Sequence, residues 1–338
     1  MNKLFKINLA GLNGLFAHIA KDMELFAPIR QGNELNYKKW HDGLEVDLYG
    51  LKTVNTPKDV LLPQSENLYA VNTKGGNIDI TPYPLHLAPY TLLGAKACDI
   101  KAIAVLDNIY LRGDFVDEAY KSRRENAYIV SLACNEPKAS CFCGAFGLDA
   151  SNPGGDVATW IVDDELYLRP QNERGQEWVQ KVAHLLGEAN EELLNHKKHE
   201  THVNINLERF VPENTLELFK DANWEHLYKA CLGCGICTYI CPTCSCYDIR
   251  DFEGKCGEIQ RLRCWDSCMY PDFTLMAHGN PRISQKERFR QRFMHKLVYH
   301  FDKFGEYGCV GCGRCVNKCP VNLNIVKIIN TLGGAING

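Results

Sequence analysis

Cys231-Leu-Gly-Cys234-Gly-Ile-Cys237-Thr-Tyr-Ile-Cys241-Pro242 is one of two stretches with the same spacing of cysteines, and the other is Cys309-Val-Gly-Cys312-Gly-Arg-Cys315-Val-Asn-Lys-Cys319-Pro320. Both follow the pattern C-x2-C-x2-C-x3-C-P. In this pattern three cysteines of one copy bind one [4Fe-4S] cluster, while the fourth binds the cluster of the other copy. The repeated pattern therefore predicts a domain that holds two such clusters.

The spacing also predicts the ligands of each cluster. Zinc is the alternative, but a zinc site normally uses two pairs of ligands, so the third cysteine and the Cys-Pro of each copy would have no role. Two complete copies therefore favour clusters over zinc. The predicted ligands are Cys231, Cys234, Cys237 and Cys319 for cluster 1, and Cys309, Cys312, Cys315 and Cys241 for cluster 2.

Glycines stand between the cysteines of both motifs. Glycine permits the tight turns that bring closely spaced cysteines around one cluster, and it leaves backbone amides able to hydrogen-bond sulfur. We expect such turns at Gly233, Gly235, Gly311 and Gly313.

The chain between the two motifs is long, with 67 residues (242–308) from one to the other. Ser284 and Glu287 form a capping-box signature at the start of a predicted helix. Apolar residues recur at every fourth position from 289 to 301, and Gly305 is a plausible end. Helical patterns also cover about 212–230 and 320–332. Residues 206–338 are therefore predicted to be a mainly α-helical ferredoxin domain with two clusters.

Residues 1–205 mix strand and helix patterns, which predicts an α+β domain. Hairpins are expected at 67–72 with 77–82, and around Asp163-Asp164. Residues 127–133 are typical of a buried strand. Helices are expected at about 99–108, 115–125 and 174–197.

Composition narrows the class of protein. The chain has 338 residues with a formal net charge of −3, so it lacks the basic excess that nucleic-acid binding requires. No apolar stretch is long enough to span a membrane. Polar residues interrupt the apolar N-terminus, which is typical of an amphipathic helix rather than a signal peptide. Seventeen cysteines in a chain of this length therefore indicate metal ligands in a reducing, cytoplasmic environment.

Four further cysteines lie in the N-terminal domain, and four thiols are the number that one more cubane needs. Ordinary buried cysteines, which are common in protein cores, are the alternative. From the residues alone, both interpretations stay open for Cys98, Cys134, Cys141 and Cys143.

The remaining cysteines follow the first motif or lie between the motifs. They could hold a further metal, tune the nearest cluster or pack in the core, and we expect packing and support of the nearest cluster. They are Cys244, Cys246, Cys256, Cys264 and Cys268.

Several segments together resemble the iron–sulfur subunits (beta or A type) of anaerobic sulfite reductases and cytosolic nickel–iron sulfhydrogenases. The ferredoxin motifs alone occur in many families, so the more particular segments carry the resemblance. These are Ala97-Cys98-Asp99-Ile100, Cys141-Phe142-Cys143, Cys241-Pro-Thr-Cys244-Ser-Cys246-Tyr247 and Trp265-x-Ser267-Cys268-Met269.

The resemblance implies a non-catalytic electron-transfer subunit, and it favours a third [4Fe-4S] cluster at the N-terminal cysteines. It implies a partner that oxidises NAD(P)H with a flavin and a [2Fe-2S] cluster. It also implies a catalytic partner, for which a siroheme subunit of a dissimilatory-type sulfite reductase is expected and nickel–iron hydrogenase subunits are the alternative. No residue of this chain is predicted to be catalytic.

Two other hypotheses remain at this point. One is a catalytic chain with its own substrate or flavin site in the N-terminal domain. The other is a freely diffusing ferredoxin, which would not need an N-terminal domain of about 205 residues.

Overall fold

The computed structural model of the chain describes residues 3–50, 52–73, 77–85, 88–190, 201, 203, 205–254 and 258–334. The strands within these residues are β1 (Leu4–Asn8), β2 (Glu24–Gln31), β3 (Glu34–Lys39), β4 (Ser65–Asn72), β5 (Asp79–Pro82), β6 (Tyr90–Ala95), β7 (Ala127–Leu132), β8 (Val157–Val162), β9 (Glu165–Pro170), β10 (Gly187–Ala189), β11 (Tyr247–Glu253) and β12 (Glu258–Trp265).

The α-helices of the same residues are α1 (Leu12–Asp22), α2 (Lys58–Leu61), α3 (Ala97–Tyr110), α4 (Glu118–Asn126), α5 (Glu173–Val182), α6 (Thr215–Lys220), α7 (Trp224–Leu227), α8 (Ile236–Tyr239), α9 (Gln285–Met294), α10 (His300–Phe304), α11 (Arg314–Lys318) and α12 (Ile325–Gly333). Six of these helices have nine to fourteen residues (α1, α3, α4, α5, α9 and α12), and the other six have four to six.

The chain divides into two compact units. Unit 1 comprises Met1–Pro57, His86–Asn204 and Val310–Gly313. Unit 2 comprises Lys58–Leu85, Ile205–Cys309 and Arg314–Gly338. The division at 204/205 lies next to the predicted domain boundary, but each unit also takes a segment from the other half of the sequence.

Unit 1 is built on an eight-stranded sheet in the order β10-β1-β9-β8-β7-β6-β2-β3. Its central strands β2, β6, β7 and β8 are parallel, and the outer strands are antiparallel. Every residue of β6 is buried, as expected for a parallel strand covered on both faces. The predicted mixture of helices and strands in the N-terminal part is confirmed.

The core of unit 1 lies between this sheet and the helices α1 and α5. Phe16 of α1 and Trp178 of α5 are each 1% exposed and pack with the strand residues Ile29 and Val130. The Trp178 indole donates a hydrogen bond to Thr91 Oγ1 at 2.9 Å, so its one polar atom is satisfied inside the core.

Most element predictions for the N-terminal half are confirmed. Strands β4 and β5 pair as the predicted first hairpin, although its turn at 74–76 lies outside the described residues. Strands β8 and β9 form the second hairpin around Asp163, whose φ is 51°. The helix expected over 174–197 is too long, because α5 ends at Val182 and 187–189 form an edge strand on β1. Its expected last part, 191–197, lies outside the described residues.

Unit 2 contains a sheet that the sequence patterns did not predict. It has the strand order β11-β12-β4-β5, so a hairpin between the cysteine motifs joins the hairpin at 65–82. Residues on both faces of β11 and β12 are charged, as in the ion pair of Arg261 with Asp251. The apolar alternation that normally marks a strand is therefore weak here.

The predicted helix between the motifs is present as α9, a π-helical turn at His295–Tyr299 and α10. Ser284 and Glu287 form the predicted capping box, and Gly305 ends the helix with a φ of 74°. Phe289 and Phe293 are buried and pack edge to face. This helix forms one wall of both cavities described below.

Candidate functional site

The cysteines of predicted cluster 1 meet at one cavity in unit 2. Cys231, Cys234, Cys237 and Cys319 all line it, together with Cys315, around about 520 Å³ of empty space that is partly open to solvent. The rest of the wall is mostly apolar and includes Ile236, Met269, Phe289, Phe293, Leu323 and Ile325.

Backbone geometry around these cysteines matches the expectation for the glycines. All four motif glycines have positive φ: 68° at Gly233, 73° at Gly235, 62° at Gly311 and 71° at Gly313. A Cβ at Gly235 would lie 2.6 Å from the Tyr270 hydroxyl, so no larger residue fits there without movement. The expected tight turns are therefore confirmed.

Backbone amides also point at cysteine sulfur. Gly233 N–H donates to Cys231 Sγ at 3.4 Å, and Leu323 N–H donates to Cys319 Sγ at 3.2 Å. Such bonds stabilise a thiolate, which is the form that binds iron.

A buried cation lies against this cysteine group. Arg292 is 3% exposed, and its Nη2 donates to the backbone oxygen of Cys237 at 3.1 Å. Burial by itself would lower the pKa of this guanidinium, but the neighbouring Cys237 and Cys315 thiols raise it overall. Arg292 Nε is buried and has no hydrogen-bond partner among the described residues. A negatively charged group in the cavity would satisfy it.

A second buried cation lies beside Cys241. Lys296 is 5% exposed, and its Nζ donates to Thr243 Oγ1 at 2.8 Å and to the Gly308 carbonyl at 3.1 Å. Burial would lower the pKa of Lys296, yet the Cys241 and Cys244 thiols raise it. A hydrogen bond from Cys244 in turn holds the pKa of Cys241 well below its usual range.

The second motif is divided between the two units. Cys309 and Cys315 belong to unit 2, whereas Cys312 belongs to unit 1 and packs there with Ala102 and Val105. Because seven consecutive residues contain all three cysteines, chain connectivity itself keeps them together. The ligand assignment for cluster 2 stays a prediction.

The four N-terminal cysteines come together within unit 1. Cys98 and Cys134 follow the carboxyl ends of the parallel strands β6 and β7, and Cys141 and Cys143 lie in the loop after β7. Burial, reinforced by the neighbouring thiols of Cys141 and Cys134, raises the pKa of Cys143 to about 11. The buried Lys96 ammonium lies close enough to Cys134 to lower that thiol's pKa, although burial keeps it raised overall.

The five cysteines that follow the first motif or lie between the motifs are not all in one place. Cys244, Cys246 and Cys268 line a second cavity of unit 2 with about 330 Å³ of empty space. Cys264 lies on β12 with its sulfur 3.5 Å from Ser65 Oγ. Cys256 falls outside the described residues. Spacing alone did not predict that three of these cysteines share a cavity, because the hairpin β11–β12 brings Cys246 and Cys268 together.

The donor set fits cubane clusters better than single ions. Throughout the described parts of the chain, no three His, Cys, Asp or Glu side chains converge closely enough to hold one metal ion. A cubane binds each thiolate to a different iron, so its ligands stand further apart around a larger cavity. The cysteine-lined cavity, the inward amides and the unsatisfied Arg292 Nε all suit such an anionic group.

None of the helices in the described residues is both long and apolar enough to cross a membrane.

Comparison with known proteins agrees with this geometry. Residues 230–323 match the family described as "4Fe-4S dicluster domain", which indicates two [4Fe-4S] clusters. The chain is similar to sulfhydrogenase 2 subunit beta of Pyrococcus furiosus, with 30% identity over 315 residues that cover 90% of this chain and 91% of the relative. No solved structure matches. As the sequence resemblance predicted, the chain belongs to the family of iron–sulfur subunits that includes this sulfhydrogenase beta subunit.

Proposed function

We propose that this chain is an electron-transfer subunit of a cytoplasmic, multi-subunit oxidoreductase. The observation that carries the proposal is the cysteine-lined cavity with Arg292 buried against it, in a chain that matches a hydrogenase beta subunit over 90% of its length. Bound [4Fe-4S] clusters supply one-electron chemistry. The chain needs no acid, base or nucleophile for that role.

The side chains around the cavities perform three tasks in this proposal. The apolar wall limits the contact of water with the cysteine sulfurs on the enclosed side of the cavity. Arg292 and Lys296 offset negative charge in a region of low dielectric constant, which favours the reduced state of an anionic group. The backbone amides at Gly233 and Leu323 hold the thiolates by hydrogen bonds.

We propose the same cluster ligands that the spacing of the cysteines predicts. Cluster 1 uses Cys231, Cys234, Cys237 and Cys319, and cluster 2 uses Cys309, Cys312, Cys315 and Cys241. We also keep residues 1–205 and 206–338 as the two functional domains. Within the second domain the clusters are held mainly by helices and turns.

A third [4Fe-4S] cluster at Cys98, Cys134, Cys141 and Cys143 is part of the proposal. Its support is that strand ends and the following loop bring four thiols to one region beside Lys96. After anaerobic reconstitution, about 12 iron atoms per chain are expected, and Cys141→Ala should lower this to about 8. About 8 iron atoms in the unaltered chain would contradict the third cluster.

The proposed partners are a flavin- and [2Fe-2S]-containing subunit that oxidises NAD(P)H and a terminal catalytic subunit. Because the curated relative is named as a sulfhydrogenase subunit, we favour nickel–iron hydrogenase subunits as the terminal partner over a siroheme sulfite reductase.

Native anaerobic purification from the source organism, with identification of every co-purifying subunit, tests these partners. A flavin subunit with nickel–iron subunits is the expected result. A siroheme subunit in their place would keep the electron-transfer role and change the terminal reaction. Recovery of the chain alone with bound flavin would contradict the proposal, because the chain would then carry its own site for a two-electron donor.

A further inference from the structure

The second cavity of unit 2 contains thiols that neither predicted cluster uses. Cys244, Cys246 and Cys268 line it, and Lys296 and Arg292 contribute positive charge to its wall. His295 also lines the cavity and is exposed to solvent, so the cavity reaches the surface. A cavity that served only to pack side chains would not need three thiols beside two buried cations.

Two of these thiols form a pair. Cys246 and Cys268 line this cavity together and influence each other's titration directly, whereas the neighbour that most affects Cys244 is Cys241. The backbone holds the pair in place, because Cys246 directly precedes β11 and its carbonyl accepts a hydrogen bond from Asp266 N–H at 3.0 Å. Cys268 lies two residues after Asp266, so the backbone at the base of the hairpin β11–β12 holds Cys246 and Cys268 near each other.

This arrangement suits a disulfide better than a metal ligand set. Two cysteines that flank the base of one hairpin and line the same cavity have backbones close enough for an S–S bond to form after rotation of their side chains. Ligands of one cubane bind different irons and stay further apart. As noted, the described residues contain no group of three suitable side chains around a point where one ion would sit.

We propose that Cys246 and Cys268 form a redox-active dithiol that exchanges two electrons with the iron–sulfur clusters of the chain. On oxidation both S–H bonds break and one S–S bond forms. The two electrons reduce two oxidised [4Fe-4S] clusters by one electron each, and the two protons pass to water in the cavity. The reverse reaction reduces the disulfide. The pair thus stores two electrons in a chain whose clusters transfer one at a time, so this inference rests on the proposed function for its electron partners.

The surroundings of the pair favour this chemistry. The hydrogen bond from Cys268 lowers the pKa of Cys246 to about 7, against the effect of burial and with help from Lys296. A thiolate is therefore available near neutral pH, and the thiolate is the form that takes part in thiol–disulfide exchange.

The test uses the full, cluster-loaded chain under anaerobic conditions. The protein is equilibrated with dithiothreitol buffers of increasing oxidised-to-reduced ratio, quenched with acid and alkylated. Mass spectrometry then measures the fraction of peptides linked through Cys246 and Cys268. The ratio of linked to unlinked peptide should rise tenfold for each tenfold increase in the ratio of oxidised to reduced dithiothreitol. Cys246→Ser and Cys268→Ser should each abolish the link, and Cys264→Ser should retain it.

Iron content and the electron paramagnetic resonance spectrum of the same samples report on the clusters independently. Unchanged iron in Cys246→Ser together with the buffer-dependent link supports the proposal. Loss of iron in that variant would overturn it, because Cys246 would then be a ligand. No linked peptide at any buffer ratio would also overturn it. A link in a chain without reducible clusters would overturn the proposed electron exchange and the proposed function together.

Discussion

The motif cysteines of unit 2 and the N-terminal cysteines of unit 1 are brought together in different ways. In unit 2, glycine turns such as the one at Gly235 fold closely spaced cysteines around one cavity. In unit 1, Cys98 and Cys134 follow the carboxyl ends of the neighbouring parallel strands β6 and β7, so the sheet places both at the same edge. Sequence spacing therefore identifies the first group, whereas it leaves the role of the second group open until the topology of the sheet is known.

The buried cations of the two groups differ as well. Arg292 keeps its charge when buried, because neighbouring thiols raise its pKa against the effect of burial. Burial lowers the pKa of Lys96, and the nearby Cys134, Asp99, Cys98 and Asp47 oppose this shift without reversing it.

Removing one ligand of cluster 1 should have the largest effect. Cys237→Ala and Cys319→Ala should each lower bound iron by about 4 atoms per chain and remove the same spectroscopic signal, because both line one cavity. Iron analysis and paramagnetic resonance of the anaerobically reconstituted variants measure this. If Cys319→Ala instead removed the signal that Cys309→Ala removes, the exchange of fourth ligands between motifs would be wrong.

Gly235→Ala should destabilise unit 2 by about 1–3 kcal/mol, because alanine is strained at a φ of 73° and its Cβ would meet Tyr270. Gly233→Ala is the matched control. It has a φ of 68° but only an ordinary contact, 3.7 Å from Gln285. The free energy of unfolding of the iron-loaded chain, measured by denaturant titration, should fall further for Gly235→Ala. Equal losses would show that Tyr270 does not restrict this turn.

Arg292→Met should lower the reduction potential of cluster 1. A permanent charge in the wall of the cavity, in a partly screened interior, contributes on the order of 2 kcal/mol, which corresponds to roughly 100 mV for one electron. Methionine keeps a long apolar side chain in the buried position. Lys303→Met, which removes an exposed cation from the end of the same helix, should shift the potential little. Equal shifts in a redox titration would mean that burial of Arg292 has no special effect.

Cys264→Ser should have the smallest effect. Its sulfur lies on β12 beside Ser65 and outside both cavities, so iron content should not change. The free energy of unfolding should change by less than about 0.5 kcal/mol, as is usual at partly exposed positions. A loss of iron would place Cys264 among the ligands and would remove the distinction between grouped and isolated cysteines.

Much of this molecule could be predicted from local sequence patterns. The helix that Ser284 begins and Gly305 ends depends on capping and on apolar spacing within one segment, and its limits were predicted correctly. The hairpin at 157–170 is equally local. The dicluster domain followed from the cysteine spacing, and the family followed from more particular segments such as Cys141-Phe142-Cys143.

The remaining features depend on contacts between distant segments. The strands β11 and β12 carry charged residues on both faces, and they are completed by β4 from a segment nearly 200 residues away. The cavity shared by Cys246 and Cys268 exists only because this hairpin forms. The strand at 187–189 likewise follows from pairing with β1, which no local pattern indicates.

The decisive experiment is a redox titration of the anaerobically reconstituted full chain, followed by paramagnetic resonance and by iron and sulfide analysis. We expect at least two [4Fe-4S] clusters per chain that are reduced reversibly, each by one electron. Zinc in place of iron, or iron that gives no reducible cluster, would contradict electron transfer as the function of this chain.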